Sequence, residues 1–113
     1  MNDLDVLERE LERVVDRVRH LALGRLAQPA PPWASRELAA RETAQLLADA
    51  AAELEGAPPR RLPQLHASAL GDQLAVTGRD VLLAARSGAA DHPGGPAAVV
   101  RVIDAVLKLR HAV

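Results

Sequence analysis

A chain of 113 residues fits one domain with a core of its own, and a formal charge of −1 gives no electrostatic reason to expect nucleic acid or an anionic membrane as partner. It has no cysteine, phenylalanine or tyrosine and a single tryptophan, which excludes disulfides, thiolate metal sites and a thiol nucleophile and leaves Leu, Val and Ala to fill the interior. The charged opening MNDLDVLERELER reads as neither signal nor transit peptide, and no apolar run is long enough to span a bilayer, so a cytoplasmic location is expected.

The first predicted helix runs from about Asp3 to Ala27. Leu4, Leu7, Leu11, Val14, Val18 and Leu21 recur at the three-to-four spacing of a bundle seam, and Asp3, Asp5 and Glu8 crowd the first turns, where the helix dipole favours negative charge. The acidic series Asp5, Glu8, Glu10 and Glu12 alternates with Arg9 and Arg13 and reads as a solvated face. Gln28-Pro29-Ala30-Pro31-Pro32 ends this helix as a stiff connector. Trp33, just beyond it, reads as a cap on one end of the core, or else as an anchor for a partner.

The second predicted helix, 35–55, begins at the N-cap candidate Ser35 and ends at Gly56 before Pro58-Pro59. Its inner face is rich in alanine (Ala39, Ala40, Ala44, Ala50, Ala51), which implies close approach to a neighbour. The third spans 62–87. Gly71, Gly78 and Ala85 recur along one edge at a spacing that lets two backbones come near. The fourth spans 96–111, with Pro96 suited to the first helical position and Val99, Val100, Val102, Ile103, Val106, Leu107 and Leu109 as its core side. No segment alternates like a strand. Four helices of similar length with short connectors predict an all-α, up-down-up-down antiparallel four-helix bundle over residues 1–113.

A polar stripe on the third helix is the main candidate site. At about 100° per residue, His66, Gln73, Thr77 and Asp80 fall within one narrow arc, flanked by Leu65, Val76 and Leu83 on one side and Leu70, Leu74 and Val81 on the other. Polar groups in an apolar arc destabilise the fold unless each finds a partner. In the expected topology Asp80 reaches towards Arg25 or Arg36 at one pole, and His66 towards Arg110 at the other. The simplest reading is a network that fixes helix register. A polar pocket with Asp80 and His66 as acid–base or ligand-binding groups, or a face turned to a second subunit, are the alternatives.

Motifs for chemistry are missing. His20, His66, His92 and His111 contain no pair at helical metal-ligand spacing, no Glu-x-x-His occurs, and there is neither a Gly-x-Ser-x-Gly elbow nor a phosphate-binding loop. No metal or other cofactor is expected. The functional expectation is an interaction, structural or adaptor module that self-associates, or binds a protein partner, through the outer surface of its first helix. The rival is a small-molecule-binding or catalytic bundle built on His66, Gln73, Thr77 and Asp80 with inward arginines. A nucleic-acid regulator is disfavoured by the neutral charge and the lack of a helix-turn-helix signal.

Overall fold

The computed structural model describes residues 2–113. Local chemistry sets most helix ends. Asn2 caps α1 (Asp3–His20), its side chain accepting the Asp5 N–H at 2.9 Å, and Arg17, Arg19 and His20 complement the dipole in the last turn. The helix stops well before Ala27. Leu21 and Ala22 are extended, and a short α2 (Leu23–Leu26) follows, which makes Leu26 a 2 % exposed plug over the end of the core. Burying Leu26 against α3 and the turn before α4 outweighs continuing a helix through Gly24, a residue that costs about 1 kcal/mol relative to Ala in a helix interior.

The connector to the next helix makes a tight turn with a cis Pro31–Pro32 bond, closed by the Trp33 N–H donating to the Ala30 carbonyl at 2.8 Å. Helix α3 (Arg36–Glu55) then starts as expected. Ser35 Oγ accepts the Leu38 N–H at 3.1 Å, and Gly56 ends the helix at φ 68°, a conformation most other residues resist.

Helix α4 (Leu70–Arg86) begins later than the expected Leu62. The residues between α3 and α4 are extended up to His66, which caps a 3₁₀ turn at Ala67–Ala69 by accepting the Ser68 N–H. This stretch contains Pro58, Pro59 and Pro63, which supply no N–H, and its backbone is held by side chains of α3 and α4 instead of by a helix ladder. Helix α5 (Gly95–Ala112) carries Pro96 in its first turn, as expected.

Contacts fix the helix directions. Arg19, late in α1, pairs with Asp72, early in α4, at 2.8 Å, and Arg86 at the end of α4 pairs with Glu8 near the start of α1 at 2.9 Å, so these helices are antiparallel. Arg36, opening α3, donates to the Ala112 carbonyl at the end of α5, and Glu53 at the end of α3 pairs with Arg101 early in α5, so these are antiparallel too. Arg17 donates to the Val113 carbonyl at 2.7 Å while Arg110 pairs with Glu10, which sets α5 parallel to α1. The four long helices therefore run up, down, down, up, with α3 and α4 parallel, instead of the expected up-down-up-down. The physical reason is the segment from Gly56 to His66. It returns along α3 to the pole where α3 began: Gln45 bonds to Arg60 and Leu62, and Arg41, a turn earlier, bonds to Leu65.

Packing follows from this path. Helix α1 lies against α4 and α5, and α3 lies against the same two, so α1 and α3 are diagonal, as are α4 and α5. One core joins all four, with Leu7, Val14, Leu47, Leu74, Val102 and Leu109 fully enclosed. The alanines of α3 admit α4 closely, and the predicted small-residue edge faces α1: a Cβ at Gly78 would lie 2.8 Å from a Leu11 methyl carbon. Among the described residues no helix is long and apolar enough to cross a membrane.

Candidate functional site

The expected stripe separates into buried and exposed members. The buried face of α4 is Leu70, Gly71, Gln73, Leu74, Thr77, Gly78, Val81, Leu82, Ala84 and Ala85. Gln73 and Thr77 belong to it and both are satisfied. Thr77 Oγ1 donates to the Gln73 carbonyl at 2.9 Å, and Gln73 Nε2 donates to the Pro63 carbonyl at 3.2 Å. Asp80 is exposed, and so is His66, whose ring serves the turn at Ser68. The Leu65, Val76 and Leu83 flank lies outside the core, with Val76 and Leu83 60 % and 58 % exposed. The true face is rotated towards the small residues because α1 approaches α4 along Gly71 and Gly78.

The arginines do not meet the stripe. Arg25 is exposed, Arg36 is half-buried against the Ala112 carbonyl at 3.1 Å with its Nη1 enclosed and unpartnered among the described residues, and Arg110 pairs with Glu10 at 2.8 Å. The expected contacts of Asp80 with Arg25 or Arg36, and of His66 with Arg110, therefore do not form. No acid–base constellation surrounds His66 and Asp80, and no group of metal-ligating side chains occurs among the described residues. Trp33 is half-buried and packs against the core, which matches its capping role.

Sequence reading missed two polar arrangements. Glu10, expected on a solvated face, is buried and accepts from Arg110 at 2.8 Å and from Arg13 at 3.4 Å. The signal was present: Glu10 is three residues after Leu7 and four before Val14, inside the seam of α1. The second arrangement clamps the extended segment. Gln45 donates to the Arg60 carbonyl at 3.0 Å and accepts the Leu62 N–H at 2.9 Å, while Arg41 donates to the Leu65 carbonyl at 2.7 Å. Cavities of about 460 Å³ and about 190 Å³ border this segment, and the residues that bind its backbone are already engaged.

A recess of about 500 Å³ forms a groove between α1 and α4. Its floor is apolar, formed by Leu11, Val15, Ala75, Leu82 and the exposed Leu83. Carboxylates of Glu8, Glu12 and Asp16, one helical turn apart, form the α1 wall, and Arg79 and Arg86 form the α4 wall. The ends are bridged internally by Arg86–Glu8 and Arg19–Asp72. The Arg86 guanidinium, by hydrogen bond and charge, holds the Glu8 carboxyl below its ordinary range, and Glu8 in turn raises Arg86. Midway along, Glu12 and Arg79 are both exposed, and neither takes part in an ion pair among the described residues.

Fold and surface together define an all-helical bundle of five α-helices among the described residues, four long and one short, that presents a charged groove with an apolar floor. No protein-family model, curated protein or solved structure shows significant similarity to the chain.

Proposed function

We propose that this protein is an interaction module that self-associates through the outer face of α1 and α4. The observation that carries this reading is the α1/α4 groove. It combines apolar area, including Leu83 at 58 % exposure, with charged walls whose central members form no ion pair among the described residues. An apolar floor rimmed by polar groups is the usual anatomy of an association surface. The occupant that fits is a second copy, because one face carries both signs of charge. With α1 18 residues long, the face is about 27 Å long and about two helix diameters wide, or about 600 Å² per partner, which clears the roughly 1,000 Å² total of a specific interface.

Size-exclusion chromatography with light scattering tests the reading. The mass rises from 12.0 kDa towards twice that value as concentration increases, and Leu83→Glu holds the protein at the monomer mass. A strict monomer at the highest attainable concentration overturns the proposal. Concentration-dependent growth that Leu83→Glu leaves unchanged overturns the choice of face.

A further inference from the structure

We infer that the copies dock about a twofold axis parallel to the helices, with Glu12 of each copy paired to Arg79 of the other. The inference rests on the self-association proposed above and adds the register. Gly78 packs against Leu11, so the next residues along, Arg79 and Glu12, lie within about 3 Å of the same height on opposite walls of the groove. A twofold axis along the groove keeps height and exchanges left for right. It therefore lays the partner's α1 over this copy's α4, and sets the Glu12 carboxylate opposite Arg79 twice, once on each side of the axis.

Three further features agree with that arrangement. Helices α1 and α4 are antiparallel, so each helix meets its counterpart across the interface in the antiparallel sense as well. The exposed Leu83, part of the apolar floor, is covered by the partner. Arg86 and Arg19 are already engaged at the groove ends by Glu8 and Asp72, which leaves the central pair as the charges that specify alignment. An isologous interface needs such self-complementarity: a patch that binds itself must carry each donor and its acceptor on the same chain.

Charge exchange separates this register from self-association in general. Glu12→Arg sets two guanidinium groups face to face on each side of the axis, and Arg79→Glu sets two carboxylates face to face there. Each variant alone weakens the dimer by at least about tenfold. Mixed in equal amounts, the two variants form a heterodimer of wild-type strength. On one side of its axis the two substituted side chains meet with opposite charges, and on the other the unaltered Glu12–Arg79 pair survives. Light scattering reads the mass, and native mass spectrometry with one chain isotope-labelled reads the pairing. Thermal melts check that each variant folds, and Glu12→Gln with Arg79→Gln replaces the reversals if either does not; each neutral variant then dimerises more weakly than wild type. A dimer indifferent to both reversals, or two monomeric variants that fail to recombine, overturns the register. If Leu83→Glu still dissociates that dimer, association through the groove stands without it. A strict wild-type monomer removes both.

Discussion

Glu10 is drawn into the interior of α1 with only one short ionic partner, Arg110 at 2.8 Å, and a longer one, Arg13 at 3.4 Å. The two sides of this pair are unequal: the Glu10 side chain is 11 % exposed and Arg110 45 %. Deleting the arginine leaves a carboxylate enclosed with its nearest donor gone, whereas deleting the carboxylate leaves an arginine that water can solvate. Buried pairs respond in this lopsided way because desolvation has already cost much of what the attraction returns. Arg110→Ala should therefore lower the unfolding free energy by about 1–2 kcal/mol, and Glu10→Leu, which fills the same seam position with an apolar side chain, by less. Urea midpoints of the two variants check this, and a larger loss for Glu10→Leu would contradict it. Glu8 makes the exposed counterpoint. Arg86 lowers the pKa of its carboxyl, so whatever stability that pair supplies is present above the ordinary carboxylate range and fades as pH falls through the lowered value. Because water reaches both groups, with side-chain exposures of 42 % for Arg86 and 44 % for Glu8, the effect is small and screened by salt.

At the scale of elements, what was legible in the sequence was what local chemistry decides. Ser35, Gly56, Pro96 and Ser87-Gly88 mark helix ends through their own hydrogen bonds or backbone preferences, and all four lie where reading them in isolation places them. The break after His20 and the extended run to His66 were not legible. Their causes are remote: Leu26 must reach the core, and Gln45, Arg41 and Gln73 grip a backbone that the intervening prolines cannot tie into a helix. The candidate stripe was half legible for a related reason. Gln73 and Thr77 are buried as expected, but the expected arc is flanked by Val76 and Leu83, which are exposed, while the structure buries the small edge at Gly71, Gly78 and Ala85. Close backbone approach outranks side-chain bulk there. The clamp carries its own test. Gln45 alone satisfies both the Arg60 carbonyl and the Leu62 N–H, and those bonds bracket the Arg60-Arg61 doublet that trypsin cuts. Gln45→Ala should raise the rate of tryptic nicking after Arg60 or Arg61 several-fold under native conditions, with a smaller change in melting temperature. Limited digestion followed by mass spectrometry measures it, and an unchanged rate would show that Leu62 packing alone holds the segment.

The whole molecule is unusual in how its halves depend on each other. Every extensive helix pairing joins the first half to the second: α1 to α4, α1 to α5, α3 to α4 and α3 to α5. Within a half, the two long helices lie on a diagonal, with the other half's pair on either side. An up-down-up-down bundle can retain a folded hairpin of neighbouring helices after the remainder leaves. Here, withdrawing α4 and α5 strips α1 and α3 of their partners at once, and helices of this length are marginal without an apolar face to bury. Unfolding should therefore be a single transition with no helical remnant. Trp33 makes this measurable, because it is the only aromatic fluorophore and packs beside α3 and α5 at one pole, whereas far-ultraviolet circular dichroism reports all helices together. In urea the two signals should trace superimposable curves with one midpoint and one slope. A fluorescence change that precedes loss of helicity by more than the fitting error would mean that one half holds structure alone, which the diagonal arrangement does not allow.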